Sequence, residues 1–397
     1  MKMKVLFIAP GDALHTSRWI ERVQSEGIEC IFLDITSQES MIPINVERVY
    51  RLINRKTRSS SPVALKNLGF FIEIIKGTVL TIKYYAKIKK IIKLEQPDLV
   101  HLHWLFHPAA LAATLLRRIP MIATPWGSDL LIPEYNKLGG RFRRIKHNYV
   151  ISRVTKKAAA FCCDASHMRD QLIFFGANSK SVRIIYFGTD IELFSPYKKS
   201  NIFWEQFGLS SQGIKVLSNR VLADMYDIET FIRAAKIVAD KLDDITFVIA
   251  GSGPQSNKLM TYASHHGPLD GKLAFIGRLS DQDFTKATAS CDIYVSTSPT
   301  DGGIAASVAE AMSSAVPVIV TDFGDNARWL RNQSAGYIFQ IGDSVELATK
   351  IFSLVDDVNL RTSMGQKGRE IISTENNSKI EIAKVILLYQ LVLEDYS

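Results

Sequence analysis

Short apolar strands alternate with helical segments along both halves of the chain, and this pattern predicts an α/β fold built as two doubly wound parallel sheets. Three observations carry that prediction. The strand candidates recur at roughly 20–30-residue intervals, the spacing of βαβ units rather than of a β-sandwich. Two of them run into glycine turns that open helices, at Ala250-Gly251-Ser252-Gly253-Pro254 and at Asp301-Gly302-Gly303. At 397 residues the chain is too long for one ordinary core. It suits two domains of about 150–200 residues each.

In the first half, residues 5–9 (Val-Leu-Phe-Ile-Ala) read as a buried strand, residues 17–27 as an amphipathic helix and residues 29–33 as a second strand. Strands at 99–103, 121–124, 158–162 and 182–185 follow. In the second half the pattern repeats at 215–218, 246–250, 273–276, 293–296 and 317–321, and residues 379–393 form a closing helix. The divide falls near Gly188-Thr189-Asp190, where a strand ends, turn residues gather and a fresh helix is expected around Asn201. The predicted organisation is a Rossmann-like domain over 1–190, a second over 191–378, and a terminal helix over 379–397. The two domains are expected to face a central cleft.

The composition, 47% hydrophobic and 22% charged, is that of a globular chain. The net charge of +8 is unevenly spread: residues 1–190 hold 29 Lys and Arg against 15 Asp and Glu, whereas residues 191–397 hold 19 against 25. A basic half favours nucleic acid, an anionic membrane or a phosphorylated substrate, and no nucleic-acid module is recognisable. The four cysteines (Cys30, Cys162, Cys163, Cys291) have neither metal nor disulfide spacing, which points to reduced thiols and a cytoplasmic location. The first apolar run is too short for a secretory core, and the longest, Leu99 to Leu116, contains three histidines and a proline and does not suit a membrane span.

The segment Asp301-Gly302-Gly303-Ile304-Ala305-Ala306-Ser307-Val308-Ala309-Glu310 is the most informative. Its glycines let backbone approach a ligand, the helix start offers N–H groups to an anion, and two carboxylates flank the turn. That combination suits a nucleotide diphosphate joined to a hydroxyl-rich group. Gly251 and Gly253 close a strand at the end where α/β sheets bind ligands, or else form a plain tight turn. Arg220 follows another strand, either as a grip on diphosphate or as a surface arginine. Asp281-Gln282-Asp283 has the form of a divalent-metal triplet, yet Ser280 before it makes a helix cap the stronger reading.

On the N-terminal side, alternation along His101-Leu102-His103 sends both histidines to one face, and His103 is placed to bond a sugar hydroxyl. Trp126 and Asp129, in Trp126-Gly127-Ser128-Asp129, offer an aromatic face and a hydroxyl acceptor to a sugar; the other reading is a helix start capped by Ser128 or Asp129. Lys83, Lys87 and Lys90, with Lys89 and Lys93, lie opposite Ile88, Ile91 and Ile92 on a helix that is either a solvated outer element or a membrane-surface one. Arg141, Arg143, Arg144 and Lys146 add a second basic patch.

Taken in order, these pieces resemble the retaining glycosyltransferases of family 4, which have the GT-B fold. The resemblance is strongest in Val248–Pro254, Phe275-Ile276-Gly277, the Asp301–Met312 unit with Pro317-Val318-Ile319-Val320-Thr321, and Phe187-Gly188-Thr189-Asp190 with Phe194-Ser195-Pro196; it is looser in Asp98–His103 and Gly127-Ser128-Asp129. It implies a C-terminal domain that holds a nucleotide-sugar, an N-terminal domain that holds the acceptor, and a terminal helix that crosses back to the N-terminal domain. Glu310 matches the second glutamate of the family's pair and would bind ribose hydroxyls. Gly302 holds the first glutamate's position, with Asp301 as its stand-in toward the donor sugar. Arg220 matches the phosphate-binding arginine. Backbone N–H groups of Gly303, Ile304 and Ala305 would face the diphosphate or sugar, Gly277 and Arg278 the base, and Gly11 the phosphates. The lysine expected five positions after the arginine is replaced by Met225, with Tyr226 next, and the histidine expected before Gly127 is Trp126.

The activity so implied is metal-independent retaining transfer, without a cofactor, of a hexosyl or N-acetylhexosaminyl group from a nucleotide diphosphate sugar, most simply UDP-linked. The acceptor is a hydroxyl of a lipid-linked or polysaccharide molecule, at the inner face of the plasma membrane. Two alternatives are a catalytically silent nucleotide- or glycan-binding relative and a sugar-nucleotide epimerase.

Overall fold

The computed structural model describes residues 2–36, 46–52, 66–131, 140–265, 269, 271–301 and 303–396. The chain divides into two compact units, Met1–Tyr186 together with Ile382–Ser397, and Phe187–Glu381. The terminal helix therefore begins in the second unit and ends in the first.

In the first unit, strands β1 (Lys4–Ala9), β2 (Glu29–Asp34), β3 (Arg48–Arg51), β4 (Leu99–His103), β5 (Met121–Thr124), β6 (Ala160–Cys163) and β7 (Val182–Ile184) form one parallel sheet in the order β3-β2-β1-β4-β5-β6-β7. The strands between its edges are covered on both faces and so read as unbroken apolar runs. Helices α1 (Leu14–Ser25), α2 (Lys66–Glu95), α3 (Pro108–Ala113), α4 (Gly140–Lys157) and α5 (Ser166–Phe174) connect them. One face carries Leu6, Ile8, Val100, Leu102 and Phe161 against Ile88 and Ile91 of α2, the alanines of α3, Ile151 of α4 and Leu172 of α5. On the other face Phe7, His101 and His103 meet Trp19 of α1.

The second unit has a six-stranded parallel sheet, made of β8 (Ile214–Ser218), β9 (Ile245–Ala250), β10 (Leu273–Gly277), β11 (Ile293–Ser296), β12 (Val318–Thr321) and β13 (Gly336–Phe339) in the order β10-β9-β8-β11-β12-β13. Its helices are α6 (Ile228–Ala239), α7 (Ser256–His265), α8 (Asp281–Ser290), α9 (Ala306–Ser313), α10 (Asn326–Trp329), α11 (Ser344–Asp356) and α12 (Val358–Glu375). Helix α13 (Ser378–Tyr396) then runs into the first unit, where the buried Tyr389 hydroxyl lies 2.5 Å from His101 Nδ1.

The two sheets share one topology. Strand order reverses between β1 and β4 in the first unit and between β8 and β11 in the second. At such a switch point the connections leave in opposite directions and open a crevice at the carboxyl ends of the strands. Where a fresh helix was expected around Asn201, the structure has a short 3-10 turn over Phe203–Phe207, stopped by Gly208 in the left-handed region at φ 72°.

Candidate functional site

The switch point of the second unit gathers most of the expected donor residues. Arg220 follows β8, and Asp301 and Ser307 come from the connection between β11 and α9. Arg220 Nη2 donates to Asp301 Oδ1 at 2.6 Å and Nη1 donates to Ser307 Oγ at 3.1 Å. Its guanidinium lies 4.3 Å from the centre of the Tyr226 ring. Tyr294 of β11 is fully buried, its hydroxyl 2.7 Å from Asn219 Oδ1 and 2.8 Å from Ser307 Oγ. A charged fork is thus held by an acid, a hydroxyl and an aromatic face, which fixes its direction before any ligand arrives.

Electrostatics bind this cluster together. Burial disfavours the charge on Arg220, but Asp301 with Tyr294 and Tyr226 more than offsets it, and the guanidinium is held more firmly protonated than usual. Burial pushes the Tyr294 hydroxyl up; Arg220 pulls it down, while the nearby Glu310 and Asp301 carboxylates reinforce the rise. Glu310, 5% exposed on α9, is therefore within electrostatic reach of the same tyrosine. Near this crevice, Ser218 Oγ and Asn219 Nδ2 at the end of β8 and Ser296 Oγ at the end of β11 are buried polar atoms that meet no hydrogen-bond partner among the described residues. Such atoms are uncommon and concentrate where function tolerates their cost.

The glycines after β9 are explained by packing against the arginine loop. A Cβ on Gly251, whose φ is +146°, would lie 2.2 Å from the Arg220 carbonyl oxygen, and one on Gly253 would lie 2.4 Å from that of Leu222. The Arg220–Leu222 backbone thus leaves no room for a side chain at either glycine. Gly277 has φ +71° with open space around it, and Arg278 beside it is exposed. Gly303 and Ala305 are buried just ahead of α9, with Ile304 half-buried; Gly302 lies outside the described residues. Asp281 and Asp283 belong to a helix cap: Ser280 Oγ accepts from Asp283 N at 3.1 Å and donates to Asp283 Oδ2 at 2.7 Å.

In the first unit, Gly11 follows β1 at the switch point. Its N–H donates to Asp34 Oδ1 at 3.0 Å, and a Cβ there would fall within 2.5 Å of that carboxylate. Two expectations need correction. Asp129 was read as a hydroxyl acceptor or a helix cap; it is 1% exposed and its oxygens take Trp126 N at 2.8 Å and Leu105 N at 2.6 Å. It ties the loop after β5 to the loop after β4, and its burial raises the carboxyl's pKa despite those two bonds. His103 was read as facing a sugar; it is fully buried among Phe7, Trp19, His101 and Trp126, because a central strand must be packed on both faces. Trp126 is half-buried, its ring 6.3 Å from that of Trp104. Trp104 directly follows β4 with φ +69°, a left-handed conformation that a bulky residue rarely adopts and that clusters at functional sites.

Tyr294 and Ser307, which join the Arg220 cluster, and Trp104, with its unusual backbone, were not singled out in the sequence. Ser307 sits inside the recognised motif, one place into α9, and a hydroxyl at a helix start is the signal that would have found it.

Comparison with known proteins adds a second line of observation. The family model described as "Glycosyl transferases group 1" matches residues 199–371, and the model "Glycosyltransferase Family 4" matches residues 49–193. An uncharacterized glycosyltransferase of Methanocaldococcus jannaschii is 25% identical over 330 residues, covering 81% of this chain and 82% of its own. The N-acetyl-alpha-D-glucosaminyl L-malate synthase of Bacillus anthracis is 21% identical over 320 residues, covering 78% of this chain and 79% of its own. Among solved structures, an Anabaena protein in complex with UDP superposes with a TM-score of 0.75 at 16% identity, covering 97% of this chain and 98% of that one.

Proposed function

Because the chain belongs to the group 1 glycosyltransferases and has the two-unit, Rossmann-like GT-B fold, we propose that it moves a hexosyl or N-acetylhexosaminyl group from a UDP-sugar to an acceptor hydroxyl, with retention at the anomeric carbon and without a metal ion. The observation that carries this reading is the Arg220 cluster at the β8/β11 switch point. A departing UDP gains charge on its phosphate as the glycosidic bond breaks, and a buried, pre-oriented guanidinium stabilises that charge without reorganising. With Met225 where the family has a lysine, Arg220 and the N–H groups at the start of α9 carry that load.

In this reading Asp301 exchanges partners when the donor binds. Its carboxylate, paired with Arg220 in the free protein, turns to sugar hydroxyls while the phosphate takes the guanidinium. Glu310 accepts hydroxyl protons of the ribose, and the segment at Gly277 and Arg278 meets the base. The acceptor is lipid-linked or a polysaccharide, held by the first unit with Trp126 and Trp104 as the aromatic surface; the basic balance of residues 1–190 supports an anionic acceptor. The reaction belongs in the cytoplasm, where the four free, buried thiols are stable.

Initial rates of UDP release with a panel of UDP-sugars and lipid or glycan acceptors test the activity, and proton NMR of the product's anomeric centre tests retention. A product of inverted configuration would overturn the stereochemical claim. Donor binding with no transfer to any acceptor would favour the silent-relative reading, which the occupied Arg220–Asp301 pair and the absent lysine motivate. Sugar conversion without acceptor would indicate an epimerase.

A further inference from the structure

The hydrogen-bond chain around Arg220 runs in one direction and turns one donor toward the crevice. A guanidinium can only donate, and an amide oxygen can only accept. Arg220 Nη1 donates to Ser307 Oγ at 3.1 Å, and the Tyr294 hydroxyl donates to Asn219 Oδ1 at 2.7 Å. Tyr294 has one proton, so Ser307 supplies the proton of the 2.8 Å contact between the two hydroxyls. The chain thus holds the Asn219 amide with its oxygen on Tyr294 and its nitrogen turned away. That nitrogen, Nδ2, is buried and meets no hydrogen-bond partner among the described residues.

Ser296 Oγ is a second buried donor of this kind, on a residue only 2% exposed. Strands β8 and β11 pair with Leu217 opposite Tyr294. The same register carried two residues on sets Asn219 beside Ser296, where both strands end at the switch point. Alternation puts the two on the sheet face that Tyr294 uses, because Val216, Ile293 and Val295 belong to the core on the opposite face. Ser218 falls on the Val216 side, so its own unpartnered hydroxyl lies in other surroundings. Buried donors without acceptors destabilise a fold. Two of them side by side, next to a fixed guanidinium, call for an acceptor that comes with a ligand.

We propose that Asn219 Nδ2 and Ser296 Oγ donate to an oxygen of the donor's diphosphate, as a neutral pair beside the cationic Arg220. This rests on the donor-site reading above and assigns two further residues to that site. The amide N–H offers no lone pair and the hydroxyl can present its proton, so together they suit an oxygen that only accepts. An anionic phosphate oxygen takes such bonds more strongly than a neutral one. The loop that carries Met225 and Tyr226 is tied by its carbonyls to the Thr300 and Thr297 hydroxyls, at 3.2 and 2.9 Å, and brings no cation to the phosphates. Hydrogen bonds from neutral groups therefore add to what Arg220 and the start of α9 supply.

Calorimetric titration of UDP and of uridine into full-length variants, with thermal melting of the ligand-free proteins, tests this. Ser296→Ala removes a hydroxyl that the free protein leaves unpaired. Its thermal midpoint should be unchanged or raised, while UDP affinity falls about two- to tenfold and uridine affinity stays the same. Asn219→Asp keeps an acceptor for Tyr294 but sets a carboxylate oxygen where the N–H was. It should lower UDP affinity by about tenfold or more, again without effect on uridine. Ser218→Ala, on the opposite face, should melt like Ser296→Ala and bind both ligands as the wild type does. Wild-type UDP affinity in either folded variant overturns the proposal, and so does a lowered midpoint in Ser296→Ala, which would make that hydroxyl a structural one. A protein that prefers UDP to uridine through Arg220 yet tolerates both changes rejects this pair alone. A wild type without that preference overturns the pair together with the donor-site reading.

Discussion

Replacing Arg220 with alanine removes the one guanidinium that faces the phosphates in the proposed reaction. Its side chain is 10% exposed and its partner Asp301 16%, so the pair works largely out of water, where a charge–charge contact is stronger than on the surface. Removal of one pre-organised donor that stabilises developing negative charge lowers kcat by about 10²–10³, or about 2.7–4 kcal/mol. The loss should sit at the upper end here, since Met225 supplies no second cation. Arg220→Lys keeps a charge but loses the fork to Ser307 and the stacking on Tyr226, so it should recover only part of the rate. The assay is UDP release at saturating donor, with circular dichroism to confirm folding. A folded Arg220→Ala variant with wild-type kcat would refute the assignment.

Three further outcomes are expected. Gly251→Ala places a Cβ against the Arg220 carbonyl at a φ that only glycine adopts readily, so it should destabilise the second unit by about 1–3 kcal/mol in urea titration and lower kcat by displacing the arginine loop. His107 caps α3 by accepting from Ala109 N at 3.1 Å, and burial, with Lys146 beside it, pushes its pKa down to about 4. A depressed histidine pKa means that the neutral form stabilises the fold above the unfolded value; that stability, about 1–3 kcal/mol, is lost as pH falls from about 6.5 toward 4. His107→Asn should therefore flatten the pH dependence of the urea midpoint across that window. A UDP-sugar at a hundred times its dissociation constant should raise stability by about 2.7 kcal/mol, read as a shift of the thermal midpoint.

Much of the fold is legible in the sequence for a physical reason. Interior parallel strands such as Val5–Ala9 are buried on both faces, so they appear as apolar runs between turn signals. The edge strand β3 escaped notice because an edge needs less apolar length: Arg-Val-Tyr-Arg carries a charge at each end. Alternation correctly put His101 and His103 on one side of β4 but could not say that α1 covers that side. Within the site, Arg220 and Asp301 could be singled out from their motifs. Their ion pair, and the roles of Tyr294 and Ser307, depend on strands 75 or more residues apart meeting at the switch point, which no local pattern encodes. For Gly251 and Gly253 the sequence left a ligand-facing and a tight-turn reading open, and the backbone that crowds them, that of Arg220 and Leu222, is invisible to any local pattern.

The central claim is that the second unit grips a UDP-sugar by its diphosphate, through Arg220 and the start of α9. Calorimetric titration of UDP and of uridine into the wild-type and Arg220→Ala proteins addresses it directly. UDP should bind the wild type far more tightly than uridine, and the substitution should remove about 1.5–3 kcal/mol of that preference while leaving uridine unaffected. Equal loss of both ligands, or a diphosphate preference that survives intact, would contradict it.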